Sequence, residues 1–176
     1  MMPRIGLGYD LHRLEAGRRF VLGGVSIPHD AGPVGHSDGD VLLHAVTDAI
    51  LGAAGLGDIG DWFDDRDPAH RDRPSHEFLQ EALAAIAKKN LRPVSVDTVV
   101  VLERPRLGAH KGAIRTRLAA LLGLPEDRVG VKAKTQEGVD AVGAGQAVAA
   151  QAVVLLAAVD RDEGDDAPEE TGSCSA

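Results

Sequence analysis

Asp10, His12 and His44 are the side chains in this sequence best suited to metal chemistry. Asp10 and His12 close an apolar opening segment, Ile5-Gly-Leu-Gly-Tyr-Asp-Leu-His12. In a strand, residues two apart point to one face, so the pair projects together. His44 follows in His36-Ser-Asp-Gly-Asp-Val-Leu-Leu-His44, where a helix is expected to begin. One carboxylate and two imidazoles form an N/O ligand set suited to zinc or another divalent transition metal. Three protein ligands would leave a fourth position for substrate, which is the catalytic arrangement rather than the structural one. An Asp-x-His pair is also an ordinary hydrogen-bonded couple at a polar strand end, so spacing alone leaves both readings open.

A series of alternating elements must position these groups. Arg4–Asp10 reads as a first strand. Arg19–Leu22 and Val25–Ile27 flank Gly23-Gly24, the pattern of a hairpin with a two-residue turn. Segment 28–37, rich in Pro, Gly, His and Asp, reads as loop. Asp40–Leu56 carries apolar residues at the helical period, with Ser37 or Asp38 expected to cap its start and Gly55 or Gly57 its end. A helix opening on Ser-Asp-Gly-Asp offers free N–H groups to an anion, and it is equally normal as a capped helix without ligand.

Segment 58–73 reads as a polar loop, and Ser75–Asn90 as a helix capped by Ser75. A strand over Val94–Leu102, a helix over His110–Leu122 and strands over Val129–Thr135 and Ala147–Val159 complete the body. The alternation predicts an α/β (α+β) sandwich, a mixed sheet with helices packed on one face. Residues 1–159 form one expected domain, and 160–176 an acidic, solvated tail.

Composition narrows the function. A chain of 176 residues with 44% hydrophobic content can build a real core, but only 3% are aromatic, so the core rests on Ala, Val, Leu and Ile. Such a core would gain stability from oligomerisation. A net charge of −8 argues against nucleic acid as partner. The single Cys174 excludes an internal disulfide and a cysteine metal site. No signal core or spanning apolar run is seen, so a cytoplasmic protein without membrane attachment is expected.

Several long motifs in order resemble the 2-C-methyl-D-erythritol 2,4-cyclodiphosphate synthase family. They are Gly8-Tyr-Asp-Leu-His12, Leu22-Gly-Gly-Val-Ser-Ile-Pro28, the stretch His36–His44, Thr47-Asp-Ala-Ile-Leu-Gly-Ala, Leu56-Gly-Asp-Ile-Gly60, Phe63 with Asp65-Arg-Asp-Pro68, and Val131-Lys-Ala-Lys-Thr-Gln-Glu137. The resemblance runs from about Arg4 to Val159. It implies a homotrimeric enzyme of the non-mevalonate isoprenoid pathway, with active sites between subunits. That enzyme converts 4-diphosphocytidyl-2-C-methyl-D-erythritol 2-phosphate into the cyclic diphosphate and CMP, a phosphorus–oxygen lyase reaction.

By position, the resemblance makes Asp10, His12 and His44 zinc ligands and Glu137 a magnesium or manganese ligand. It makes His36 and Thr135 the residues that stabilise the transition state, and adds Ser37 to the substrate contacts. Asp58, Ile59 and Gly60, with Phe63, Asp64, Asp65, Arg66 and Asp67, match the loops holding the erythritol portion. Leu102, Arg106, Leu107 and Gly108, with Ala133, Lys134, Thr135, Gln136 and Glu137, match the cytidine and phosphate pocket.

The chemistry agrees with that assignment. The substrate carries its own nucleophile, the 2-phosphate, so positioning and charge neutralisation suffice. Metals would supply the positive charge that phosphates need inside an acidic protein. Asp58 is a candidate to orient a ligating His or the substrate hydroxyls. Trp62 is expected to pack on the core rather than stack on substrate. Two departures stand out: Ala141 and Ala144 replace a Phe and an Arg common after the Glu, and Arg106 replaces a common Lys. The first weakens the case for an isoprenoid diphosphate in the central trimer cavity and leaves the ligands untouched. The rival readings are a zinc-dependent hydrolase and a non-catalytic trimeric binding module.

Overall fold

Strand β1 (Arg4–Ala16) carries two glycines on its inward face, Gly6 and Gly8, and the backbone of helix α1 (Val41–Ala54) lies directly on them. A Cβ on Gly6 would lie 1.8 Å from the Ala49 carbonyl oxygen, and one on Gly8 would lie 2.0 Å from that of Ala45. Only residues without a side chain permit that approach. Ala45, Ala49 and Ala53 continue the same idea on the helix, forming a small-residue stripe one turn apart. The shortage of aromatic residues is thus expressed as close backbone packing.

The computed structural model describes residues 2–64, 67 and 73–159. Within them the order is β1, β2 (Phe20–Leu22), β3 (Val25–Ile27), β4 (Ala31–Pro33), α1, α2 (Ile59–Trp62), α3 (Ser75–Lys88), β5 (Leu91–Val101), α4 (Lys111–Leu122), β6 (Val129–Lys134), α5 (Asp140–Gly143) and β7 (Ala147–Ala158). The main sheet has strand order β4-β1-β7-β5-β6. Neighbouring strands are antiparallel except β5 and β6, which run parallel around the α4 crossover, so the sheet is mixed as expected.

Alternation decides which side of the sheet is covered. Val96, Thr98 and Val100 of β5 and Val148, Ala150, Ala152, Val154 and Leu156 of β7 are buried under the helices. The opposite face keeps Ile5, Leu7, Tyr9 and Leu11 exposed at 72%, 66%, 54% and 45%. Over its far end, α5 packs Val142 on Ala147 and Ala149.

The Gly23-Gly24 hairpin forms as predicted, pairing Phe20 with Ile27 through two left-handed glycines at φ 60° and 73°. Several boundaries differ from expectation. β1 runs six residues beyond Asp10 because β7 and then β4 supply partners along its length. β4 lies inside the expected 28–37 loop, and α2 inside the expected 58–73 loop. The cap of α1 is Asp40, not Ser37 or Asp38, while Gly55 ends the helix in the left-handed conformation. Helix α3 has Pro74 at its cap position, and Ser75 is the first helical residue with its hydroxyl used elsewhere. The expected tail 160–176 and Cys174 lie outside the described residues.

Candidate metal centre

Gly6, Gly8, Asp10 and His12 share one face of β1, so the strand that receives α1 on its glycines offers Asp10 and His12 just beyond them. His44 lies in the first turn of α1, next to the Ala45 carbonyl that rests on Gly8. The helix–strand contact therefore sets the distance between His44 and the other two. His44 Nδ1 and His12 Nε2 each lie 2.9 Å from Asp10 Oδ2, and 3.1 Å from one another. Among the described residues these are the one group of three or more His, Cys, Asp or Glu side chains close enough to hold a metal ion together.

The donor set fits a divalent transition ion. Zinc bonds of ~2.0–2.1 Å put ligand atoms of a tetrahedron about 3.3 Å apart, a few tenths of an ångström wider than the three contacts here. Two imidazole nitrogens cannot crowd one carboxylate oxygen so closely without protons or a cation between them. Burial works to raise the Asp10 carboxyl. The hydrogen bonds and charges of His12 and His44 outweigh it and hold the group well below the usual carboxylate range. Asp10 is thus ionised whenever a cation arrives.

Asp40 fixes the start of α1. It is fully buried, and its Oδ1 accepts from Leu42 and Leu43 N–H at 3.2 and 3.1 Å. It also accepts from Gly23 and Gly24 N–H, at 2.8 and 2.6 Å, which ties the helix to the hairpin turn. Burial pushes its carboxyl upward despite those donors, and Asp38 adds to the rise.

The outer nitrogen of His44 has its own partners. Its Nε2 lies 2.8 Å from Ser75 Oγ and 3.0 Å from Ser37 Oγ, and the Ser75 hydroxyl donates to Asp38 Oδ1. Asp58, the candidate to orient a ligating His or the substrate hydroxyls, caps α2 in a reciprocal box with Asp61. Asp48 ties that segment to α1 by accepting from Ile59 N–H at 3.1 Å. Burial raises the Asp48 carboxyl, with help from the Asp58 and Asp10 charges.

Ile59 is half-buried, and Asp58, Gly60 and Asp64 are exposed. Phe63 is buried, its ring 4.4 Å from that of Phe78, which in turn lies 6.3 Å from the His44 imidazole. Asp67 N–H donates to Asp64 O at 3.1 Å, while Asp65 and Arg66 lie outside the described residues. Trp62 corrects an expectation: it is 37% exposed, and its indole N–H donates to Leu56 O.

His36 is exposed on the loop before α1, and Ser37 is buried beside His44. The other predicted residues gather at the carboxyl ends of the parallel pair β5 and β6, where Leu102 N–H donates to Lys134 O at 2.9 Å. Leu102 and Leu107 are core side chains, so only their main chain is open to a ligand. Arg106, Gly108 and Lys134 are exposed, and Ala133, Thr135 and Gln136 half-buried. Glu137 adopts a left-handed φ of 53° and accepts from Thr135 Oγ1 at 2.8 Å. His12 pairs with Val148 on β7, and Val101 with Ala149, so this group sits level with the metal cluster across one intervening strand.

Within that cluster, sequence reasoning missed Ser75 as a partner of His44 and Asp38 as a partner of Ser75. Their contacts join residues 31 and 37 positions apart, beyond any local pattern.

The sequence profile of the YgbB family matches residues 3–157. A curated relative, 2-C-methyl-D-erythritol 2,4-cyclodiphosphate synthase of Gloeobacter violaceus, is 56% identical over 87% of this chain and 94% of its own. A solved structure of 2C-methyl-D-erythritol-2,4-cyclodiphosphate synthase is 48% identical, with TM-score 0.82, over 88% of this chain and 100% of that one. Another, solved in a form with CDP bound, is 46% identical with TM-score 0.81 over the same shares. A match across nearly the whole domain, in sequence and in fold, means that the chain belongs to the YgbB family of 2-C-methyl-D-erythritol 2,4-cyclodiphosphate synthases.

Proposed function

We propose that this enzyme converts 4-diphosphocytidyl-2-C-methyl-D-erythritol 2-phosphate into 2-C-methyl-D-erythritol 2,4-cyclodiphosphate and CMP, as a phosphorus–oxygen lyase of the non-mevalonate pathway. The observation that carries the reading is the convergence of Asp10, His12 and His44, with three ligand atoms mutually within 4.8 Å, in a chain of this family. Those residues would hold zinc or another divalent transition ion, and Glu137 magnesium or manganese. When bound, such ions supply Lewis acidity and positive charge at the phosphate oxygens.

The remaining chemistry is positioning. An oxygen of the 2-phosphate forms the new bond to the β-phosphorus. The bond from that phosphorus to the bridging oxygen breaks, and CMP leaves with the bridging oxygen. Thr135 donates to Glu137 and so aims its carboxylate, while His36 and Thr135 are assigned to steady the transferring phosphate. The backbone of 102–108 and 133–137 is assigned to cytidine and its phosphates. Residues 58–60 and 63–67 are assigned to the erythritol portion, with Ser37 and the Asp10/His12 edge beside them. The CDP-bound relative supports a cytidine nucleotide as the ligand class.

A homotrimer with active sites shared between subunits belongs to the same proposal. Its support is the exposed apolar row Ile5, Leu7, Tyr9 and Leu11, which a monomer would leave in water. A cytoplasmic location completes it. No described helix is long and apolar enough to cross a membrane. The test is His44→Ala: the variant should fold, lose bound zinc and lose most CMP release. Zinc at wild-type stoichiometry together with full activity would refute the ligand assignment.

A further inference from the structure

We propose that Asp38 and Ser75 act as a positioning relay that sets the tautomer of His44 and thereby the divalent-metal affinity of the site, an inference that rests on the metal-binding reading above. A carboxylate only accepts, so the Ser75 hydroxyl must donate to Asp38. Its oxygen is then an acceptor toward His44 Nε2, 2.8 Å away. Nε2 must therefore carry an imidazole proton. Nδ1 shares a proton with the Asp10 carboxylate, and once a cation takes the place of that proton the Nδ1 lone pair would be the one directed at the site between Asp10 Oδ2 and His12 Nε2.

Ser37 Oγ, 3.0 Å from the same nitrogen, accepts from Gly39 N–H, and its own proton can turn to Ser75 Oγ, 3.3 Å away, which keeps His44 Nε2 the donor. Ser75 is fully buried and Ser37 is 5% exposed, so no solvent molecule stands ready to replace either hydroxyl. Metal-bound histidines generally donate their second N–H to a carboxylate or carbonyl, and here a serine is interposed. Asp38 is itself held from two sides: it accepts from Ser75 N–H at 3.2 Å, and its own N–H donates to Arg73 O at 3.2 Å. The relay thus couples the first turn of α3 to a ligand on α1.

Two variants separate this role from mere packing. Ser75→Ala removes the relay atom. Asp38→Asn keeps the shape but presents an amide N–H that can donate to Ser75. The hydroxyl can then turn toward His44 Nε2 and favour the wrong tautomer. Cobalt(II) alone is titrated into metal-stripped full-length protein, followed by its d–d absorption. Nitrogen-15 NMR of labelled histidine at mildly alkaline pH reads the His44 tautomer in the metal-free state, and melting of the same samples reports folding. Cobalt affinity should fall about 10–100-fold in both variants. Nε2 should carry a proton in the wild type and lose it in Asp38→Asn, leaving only Nδ1 protonated.

Cobalt affinity within twofold of wild type in both variants, with the proton still on Nε2, would overturn the relay. So would a wild-type Nε2 that carries no proton. Should Ser75→Ala not fold, Asp38→Asn and the wild-type tautomer decide. Absence of cobalt binding by the wild type would instead defeat the metal-site reading, and the tautomer would still judge the relay.

Discussion

Gly8→Ala should disable the metal centre without touching a ligand. The new Cβ would sit 2.0 Å from the Ala45 carbonyl oxygen and 2.7 Å from Ala49 N, both backbone atoms of α1. Ordinary contact begins near 3.4 Å, so the helix must lift from β1 by about 1.4 Å. His44 precedes Ala45 and moves with it. A lift along the His44–Asp10 direction would open their 2.9 Å contact to about 4.3 Å, well beyond the ~3.3 Å that a tetrahedral zinc site needs. Overpacking of this kind costs about 1–3 kcal/mol in stability.

Metal affinity should drop by more than about 100-fold, because the cluster tolerates only a few tenths of an ångström. Urea denaturation of the metal-free protein reads the first effect, and chelator competition for zinc reads the second. Gly52→Ala is the internal control. It lies in the same helix with nothing within 4 Å of its Cβ position, and it should stabilise by about 1 kcal/mol with unchanged zinc affinity. A Gly8→Ala protein that denatures like wild type and binds zinc equally would refute the argument that this contact sets the site.

Other expected outcomes follow from single contacts. Asp40→Ala leaves the buried Gly23 N–H, the part-buried Gly24 N–H and the start of α1 without their acceptor, and should cost about 3–5 kcal/mol by urea denaturation. The Asp10 carboxyl is lowered from an ordinary value of 3.8, so its contribution is complete above that pH and fades as pH falls below it. The stability gap between metal-free wild type and Asp10→Asn should therefore narrow on acidification below about pH 4, and a gap that widens would contradict the sign. Leu7→Asp, on the exposed apolar row, should shift the sedimentation-equilibrium mass from trimer to monomer. An unchanged trimer would remove that face from the interface.

Local patterns made much of this fold legible. Two glycines between β-rich runs specify the hairpin because its turn requires positive φ at both positions. The period-two spacing of Asp10 and His12 put both on one face, and the helical period placed His44 at the start of α1. What was hidden depends on partners distant in sequence. Ser37, Asp38 and Asp40 are equally plausible caps by type, and the choice falls to Asp40 because the hairpin turn meets it there. β4 is an Ala-Gly-Pro segment without strand propensity, and it is a strand only because β1 extends beside it. Ser75 looked like a cap, and only the fold brings its hydroxyl between Asp38 and His44. The resemblance carried the cytidine-pocket assignment, since buried Leu102 and Leu107 offer a ligand nothing but backbone.

In the proposed reaction a phosphate within the substrate, rather than water, attacks the β-phosphorus. The direct measurement is turnover in oxygen-18 water with zinc and magnesium, with products followed by phosphorus-31 NMR and mass spectrometry. CMP and the cyclic diphosphate should form in equal amounts, neither containing solvent oxygen, with negligible turnover by His44→Ala. Oxygen-18 in CMP or in an uncyclised phosphate product would show a hydrolase and contradict the proposed reaction.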